Sequence, residues 1–210
     1  MRSIEGFILS GGASSRMGTA KAKLILGDKS LEMRAARTVQ AVASAVFIVG
    51  SGPVQDFEVL RDVVAPHFGN RRAAILGLYT ALVNCRASHA AVLACDLPFV
   101  TPQLIEKLAG TSTDSEDADA VIPVQSDGRL QPLCAIYRPR QCLPIIETAL
   151  SGDDWRLRET VGSLNIRRVE FSEIADLPGS ENFFFNLNTP EDYNRAAKLA
   201  EQELDASTGK

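Results

Sequence analysis

Short, continuous apolar runs alternate with segments of helical periodicity through the first half of this chain, and this pattern restricts the fold most. Residues 7–9, 46–49 and 90–94 are apolar at every position, as expected for strands buried on both faces of a sheet. Between these runs, residues 31–42 and 73–85 carry apolar side chains at helical spacing. The alternation predicts an α/β fold, namely a Rossmann-like, doubly wound, mostly parallel sheet of the nucleotide-diphospho-sugar transferase type in three α/β/α layers.

Two helix starts are marked clearly in the second half of the chain. Thr101 and Pro102 have the residue types of an N-cap followed by the first helical position. Thr189, Pro190 and Asp192 form a Thr-x-x-Asp capping box with proline at the first helical position. The other predicted elements are strands over 120–124, 134–137, 166–170 and 183–185, a helix over 139–150 and a surface loop over 111–119.

Composition and charge limit the class of function. A formal net charge of -4 over 210 residues argues against a non-specific nucleic-acid-binding protein, which needs a basic face. Neither a secretory signal nor a membrane-length apolar window is found, so we expect a cytoplasmic protein with no membrane partner. We also expect one domain over residues 1–204 and a disordered tail over 205–210. The cysteines lack CxxC spacing and are expected to be buried, reduced thiols: Cys85, Cys95, Cys134 and Cys142.

The most informative segment for function follows the first predicted strand and reads L-S-G-G-A-S-S-R-M-G-T-A-K-A-K-L over residues 9–24. Adjacent glycines allow the backbone to approach a phosphate with its N–H groups directed at the oxygens. Arginine and lysine supply positive charge for a departing pyrophosphate. The segment lacks the Gly-Lys-Ser/Thr of a P-loop and the GxGxxG spacing of a dinucleotide site. Its candidate nucleotide-binding residues are Leu9, Ser10, Gly11, Gly12, Arg16 and Lys21.

Carboxylate and amide side chains at the ends of predicted elements are candidate metal or base ligands. Asp96 follows the run over 90–94, where a carboxylate can bind Mg²⁺ together with substrate phosphates and water, although a turn before Pro98 explains it equally well. Asn188 is a weaker candidate Mg²⁺ ligand that also suits a turn. Asp62 is a candidate acceptor for a base edge, although an isolated aspartate is more often a solvated loop residue. Parallel sheets bind ligands at the carboxyl ends of their strands, where Asp96 and the glycine-rich segment can meet.

At this point the sequence resembles the nucleotidyltransferases with the signature L-(A/S)-G-G-x-S-x-R-M-G-x-D-K. Within that superfamily it is most similar to the molybdenum cofactor guanylyltransferases, the MobA family. The resemblance extends to C-D-L-P-F over 95–99, L-Q-P-L over 130–133 and N-L-N-T-P-E-D over 186–192. It implies Mg²⁺-dependent transfer of GMP from GTP to the molybdopterin cofactor, with release of pyrophosphate. It is also compatible with transient contacts to cofactor-biosynthesis or molybdoenzyme-maturation proteins.

The resemblance assigns a role to each matching residue. Gly11, Gly12 and Arg16 match the loop that holds the triphosphate, and Lys21 matches the signature lysine. Asp96 matches the aspartate that binds Mg²⁺. The late Asn-Thr-Pro motif, which contains Asn188, lies beside the site in the family, and Asp62 falls near a base-contacting aspartate. The catalytic residues implied are Arg16, Lys21 and Asp96.

Two departures from the family pattern leave alternatives open. Ala20 stands where the family usually has aspartate, and Ala73-Ala74 stand in a segment that is usually Gly-Pro-Leu-x-Gly. The second segment lines the nucleotide base in the family. A molybdenum cofactor cytidylyltransferase, or another small-acceptor nucleotidyltransferase, is therefore an alternative within the same class. A non-catalytic nucleotide-binding adaptor on the same fold is an alternative from a different class.

Overall fold

A computed structural model describes residues 3–10, 21–50, 52–61, 73–152 and 155–208, with side chains described through residue 201. Its strands are β1 (Ile4–Leu9), β2 (Ile25–Leu26), β3 (Lys29–Ser30), β4 (Ala45–Val49), β5 (Glu58–Leu60), β6 (His89–Ala94), β7 (Ala120–Pro123), β8 (Cys134–Tyr137) and β9 (Ile166–Val169). Its α-helices are α1 (Leu31–Val39), α2 (Ala74–Asn84), α3 (Pro102–Asp114), α4 (Pro139–Ser151), α5 (Leu157–Gly162) and α6 (Pro190–Thr208). Short 3₁₀ turns cover Lys21–Lys23, Phe171–Glu173 and Ser180–Asn182.

Seven of the described strands form one sheet in the order β5-β4-β1-β6-β8-β7-β9. All neighbouring pairs are parallel except the two that include β8, which runs antiparallel to β6 and β7. The prediction of a mostly parallel α/β sheet is therefore confirmed. In the register of the sheet, Leu9 at the end of β1 lies between Val49 and Ala94 at the ends of β4 and β6.

Buried side chains fill both faces of the sheet. Ile8 packs in a core with α1, α3 and α6, whereas Phe7 and Leu9 pack in a second core with α2, α4 and α5. Successive strand residues point to opposite faces, so a strand covered on both sides must be apolar at every position. This is the physical basis of the continuous apolar runs, and it confirms the three-layer arrangement.

Helix α3 is longer than the sequence indicates, and the surface loop predicted over 111–119 is wrong for its first four residues. Ser112 keeps the buried face of the helix, and the hydroxyl of Thr111 donates to the carbonyl of Lys107 at 2.9 Å. The guanidinium of Arg138 then donates to the carbonyls of Ser112 and Ser115 at 3.3 and 2.7 Å. These contacts satisfy backbone groups at the helix end that would otherwise lack partners.

The aromatic run at 183–185, predicted to be a strand, forms a turn after the 3₁₀ segment Ser180–Asn182. The side chain of Phe183 is fully buried, and the N–H of Phe185 donates to the carbonyl of Asn182 at 2.9 Å. Gly179 opens this turn with a φ of 79°, a conformation that favours glycine. Aromatic residues favour strands through packing on a sheet, and here the core accepts the same side chains from a turn.

Other helix boundaries differ from the predictions by a few residues. α1 ends at Val39 instead of residue 42, with Gln40 as its C-cap. The backbone of α6 is helical to Thr208, which includes the first four residues of the predicted disordered tail. The single-domain boundary at residue 204 stays a prediction. Among the described residues, no helix is both long and apolar enough to cross a membrane.

Candidate active site

The carboxyl ends of β1 and β6 place two of the candidate segments side by side. The carbonyl of Leu9 accepts a hydrogen bond from the N–H of Cys95 at 3.1 Å, and the N–H of Ser10 donates to Val49 at 2.9 Å. Ser10 and Asp96 therefore leave the same edge of the sheet on neighbouring strands. This is the edge at which open α/β sheets bind ligands.

A third segment reaches this edge from the distant end of the chain. The N–H of Leu187 donates to the carbonyl of Asp96 at 2.9 Å, and the Leu187 side chain is fully buried. Asp192 accepts hydrogen bonds from the N–H groups of Asn188 and Thr189 at 3.0 and 2.9 Å, while Thr189 Oγ1 accepts from the N–H of Asp192 at 3.1 Å. The predicted capping box is confirmed, and it fixes Asn188 beside Asp96.

The same cap affects the Asp192 carboxyl. The hydrogen bond from the Asn188 N–H lowers the pKa of Asp192 below its ordinary value, and the contacts with Thr189 act in the same direction. An ionised carboxylate is favoured there because it accepts from N–H groups at the start of a helix.

Lys21 connects the segments that contain Asp96 and Asn188. Its Nζ donates to Asp96 Oδ2 and to Asn188 Oδ1, both at 2.9 Å. The side chains of Lys21 and Asp96 are 15% and 27% exposed, so this ion pair is largely shielded from water. Ala22 is buried in the core and anchors the turn from which Lys21 extends. Lys21 thus contacts the two other sequence-derived candidates, Asp96 and Asn188, which lie 75 and 167 positions further along the chain.

The chemistry of this cluster suits a cation. A carboxylate oxygen and an amide oxygen converge on one positive centre, and both are oxygen ligands that Mg²⁺ accepts. Within the described ranges, no group of three or more His, Cys, Asp or Glu side chains is arranged to hold a metal ion. An ion at this site would need substrate phosphates and water to complete its coordination, which is how Mg²⁺ usually binds with nucleotides.

Cys95 adjoins Asp96 but is unsuited to covalent chemistry. Its side chain is buried, and burial raises the pKa of the thiol to about 12. A thiol that stays protonated at neutral pH is a poor nucleophile. The site therefore offers positioning and charge.

A second cluster joins Ser10 at the end of β1 to the turn that contains Lys23, and it was missed by sequence reasoning. Glu32, in the first turn of α1, has a side chain that is only 2% exposed. One carboxylate oxygen accepts from Ser10 Oγ at 3.0 Å, and the other accepts from Lys23 Nζ at 2.6 Å. Lys23 also donates to the carbonyl of Pro53 at 2.9 Å. Glu32 lies on the buried face of α1 with Leu31, Ala35 and Ala36, so a charged residue within that apolar face was the available signal.

The remaining sequence candidates have separate positions. The Leu9 side chain is buried in the core with α2, where a Cβ on Gly77 would lie 3.4 Å from it. The Leu9 carbonyl accepts from the N–H of Cys95, so Leu9 supports the sheet. Gly11, Gly12, Arg16 and Asp62 lie outside the described residues, and their roles stay predictions.

Comparison with known proteins finds relatives over most of the chain. Residues 6–166 match the model of the MobA-like NTP transferase domain. The chain is 29% identical over 197 residues to a molybdenum cofactor guanylyltransferase of Desulfosudis oleivorans, covering 93% of this chain and 95% of that protein. It is 30% identical over 200 residues to a probable molybdenum cofactor guanylyltransferase of Pelotomaculum thermopropionicum, covering 93% of each.

The fold has a close counterpart among solved structures. The crystal structure of molybdopterin-guanine dinucleotide biosynthesis protein A from Archaeoglobus fulgidus superimposes with a TM-score of 0.77. The match covers 94% of this chain and 99% of that one, at 23% sequence identity. The seven-stranded sheet described above is therefore a fold already known from a solved structure.

Proposed function

This chain belongs to the MobA-like NTP transferase family and is a nucleotidyltransferase, and we propose that it transfers GMP from GTP to the molybdopterin cofactor with Mg²⁺ bound. The products would be the molybdopterin guanine dinucleotide cofactor and pyrophosphate. The proposal includes the cytoplasmic location expected from the sequence. Relatives named molybdenum cofactor guanylyltransferase match over more than nine-tenths of the chain, which supports this acceptor over that of a sugar-phosphate enzyme.

The observation that carries the proposal is the convergence of Lys21, Asp96 and Asn188 on one point. Three chain segments contribute one side chain each: Asp96 follows β6 at the ligand-binding edge of the sheet, Asn188 follows Leu187, whose N–H donates to the carbonyl of Asp96, and Lys21 reaches both from its turn. A carboxylate, an amide and an ammonium group at one position provide both cation ligands and a phosphate partner. Phosphoryl-group transfer depends on such positioned charge, because the protein has little covalent chemistry to perform.

In this reaction a terminal phosphate oxygen of the acceptor attacks the α-phosphorus of GTP. A bond forms between that oxygen and the α-phosphorus, and the bond from the α-phosphorus to the bridging oxygen of pyrophosphate breaks. Negative charge accumulates on the departing pyrophosphate, and the ammonium group of Lys21, beside Asp96, can neutralise it. Arg16, which lies outside the described residues, is proposed to act with it.

Asp96 and Asn188 are the residues that would hold Mg²⁺. The bound ion would neutralise phosphate charge and polarise the α-phosphate toward attack. The ammonium of Lys21 donates to both of these oxygens. Lys21 would therefore have to leave them for Mg²⁺ to bind there, and its ammonium group would then be available to a phosphate.

Pyrophosphate release with purified protein, molybdopterin cofactor and each of GTP, CTP, ATP and UTP tests the proposal. We expect release with GTP and Mg²⁺, and loss of release on addition of a chelator. Release with CTP alone would refute guanine specificity and indicate a cytidylyltransferase. An absence of release with every nucleotide would refute the reaction itself.

Substitution of the site residue gives a second test. Asp96→Ala should lower the rate by about 100-fold or more, the usual effect of removing one preorganised charge contact. Asp117→Ala is a matched control, because Asp117 is an exposed aspartate near the start of β7, at the opposite edge of the sheet. Full Mg²⁺-dependent turnover by Asp96→Ala would contradict the metal assignment.

A further inference from the structure

Glu32 connects both ends of the glycine-rich segment through one carboxylate group. Within that segment, which spans residues 9–24, Ser10 is the last described residue before Gly11, and Lys23 lies in the described turn Lys21–Lys23. Glu32 Oε2 accepts from Ser10 and Oε1 accepts from Lys23, at 3.0 and 2.6 Å. A single buried side chain therefore fixes where the chain leaves β1 and where it returns.

The connection extends to the neighbouring strand. Lys23 Nζ also donates to the carbonyl of Pro53, which lies in the segment after β4, at 2.9 Å. The same segment approaches Ser10 closely, since a Cβ on Gly50 would lie 3.2 Å from the Ser10 side chain. Ser10, the turn of Lys23 and the segment that contains Pro53 are thus joined by contacts of Glu32 and Lys23.

A paired carboxylate in the core is weak evidence of a stabilising role. Burial of a charged group is unfavourable unless it is paired and hydrogen-bonded, and an apolar residue at the same place often stabilises a protein as well or better. Glu32 lies on a helix face that is otherwise apolar. Its two contacts both lead to residues that flank the glycine-rich segment, and neither leads deeper into the core.

We propose that Glu32 is a positioning residue that holds Ser10 and Lys23 in the arrangement required to bind the nucleotide. This inference rests on the proposed function. Glu32 acts through its contacts with Ser10 and Lys23 and does not itself contact the substrate. Lys23 pairs with Glu32, whereas Lys21 pairs with Asp96 and Asn188.

Glu32→Gln keeps the size of the side chain and removes its charge, so it is the variant of choice. We expect the KM for GTP to rise about tenfold, the effect of weakening a charge-assisted hydrogen bond, while kcat stays within twofold. Lys23→Met should raise KM similarly, and the double variant should be little worse than either single one, since both remove the same contact. Equal kcat values show that the chemical step is intact, which a general loss of folding would not produce.

Glu5→Gln is the matched control. Glu5 lies near the start of β1 and accepts from the N–H groups of Arg86 and Ala87 at 2.8 and 3.4 Å, at the edge opposite the site. This variant removes a carboxylate with two hydrogen bonds from the same strand, and we expect an unchanged KM for GTP. An equal rise of KM in Glu5→Gln and Glu32→Gln would overturn the proposal, and so would an unchanged KM in Glu32→Gln.

Hydrogen exchange of the ligand-free protein separates this inference from the proposed function. The N–H of Ser10 bonds to Val49, and the N–H of Leu24 bonds to Lys21 at 3.1 Å. In Glu32→Gln both amides should exchange faster, whereas the amides of β6 should be unchanged. If the wild type releases no pyrophosphate with any nucleotide, the proposed function fails, and this local change alone still supports the connection through Glu32. Uniform acceleration, or none, overturns it.

Discussion

Replacement of Lys21 by methionine should allow the nucleotide-free protein to bind a divalent cation more tightly. In the wild type, the ammonium group of Lys21 occupies Asp96 Oδ2 and Asn188 Oδ1, each at 2.9 Å. A metal ion that uses these oxygens must first displace the ammonium group. Methionine has a similar length and no charge, so it leaves the two oxygens free for a cation.

The size of the effect follows from the contacts that the metal must replace. A hydrogen bond that involves a charged group contributes about 1.5–3 kcal/mol net. The pair is 15% and 27% exposed, and solvent at this level weakens the contact, so we take the lower part of that range. Since 1.4 kcal/mol corresponds to a factor of ten, affinity should rise by about 10- to 30-fold.

Titration of free Mn²⁺ by electron paramagnetic resonance measures this affinity without nucleotide or turnover. Lys107→Met, on the exposed side of α3, is a matched control and should bind like the wild type. Asp96→Asn in the Lys21→Met background should abolish the gain. Equal Mn²⁺ binding by the wild type and Lys21→Met would refute the competition, and a gain that survives Asp96→Asn would place the ion elsewhere.

Three further results are expected. Asp192→Asn should lower the free energy of unfolding, measured in urea at pH 7, by about 1 kcal/mol because it weakens the cap of α6. The pKa of Asp192 is lowered in the folded protein, so this stabilisation is present above about pH 4, the unfolded value. The difference between variant and wild type should therefore vanish as the pH falls through the folded-state pKa. Phe183→Ala should lower the free energy of unfolding by about 3–5 kcal/mol in the same assay, because it empties a fully buried site, and a loss below 1 kcal/mol would contradict the packing described. Burial raises the pKa of all four cysteine thiols to about 12, so Ellman's reagent at pH 8 should label the native protein at least about 100-fold more slowly than the guanidinium-unfolded protein, and rapid labelling of the native protein would show that the thiols are accessible.

The central strands could be predicted because burial on both faces affects every residue. The runs at 7–9 and 90–94 contain no polar position, and both are strands of the main sheet. The start of α6 could also be predicted, because the Thr189–Asp192 cap is local and its partners are three residues apart. In each case the physical cause lies within a few residues of the signal.

Features without a local cause were not predicted, or were predicted wrongly. β5 is a three-residue edge strand that includes the exposed Glu58, so no continuous apolar run marks it. The antiparallel direction of β8 depends on the path of the chain through α3, β7 and the turn before β8. The apolar run over 134–137 carries no information about that direction. The aromatic residues at 183–185 suit a strand by propensity, but tertiary packing places them in a turn.

The candidate site shows the same division between residue type and contact. Sequence reasoning selected Lys21, Asp96 and Asn188 by their chemistry. It predicted that Lys21 contacts phosphate and that the Asp96 and Asn188 side-chain oxygens bind Mg²⁺. The structure joins all three in one contact, and the two assignments cannot hold at once in that geometry. They are compatible if Lys21 has one partner in the free protein and another with nucleotide bound. The neighbours of Lys21 favour this, because the buried Ala22 and the Lys23–Glu32 ion pair fix the turn while only one side chain needs to move. Loss of the Glu32 contact should then weaken nucleotide binding without making the Asp96–Asn188 pair available to a metal ion. Loss of Lys21 should make that pair available to a metal ion in the nucleotide-free protein.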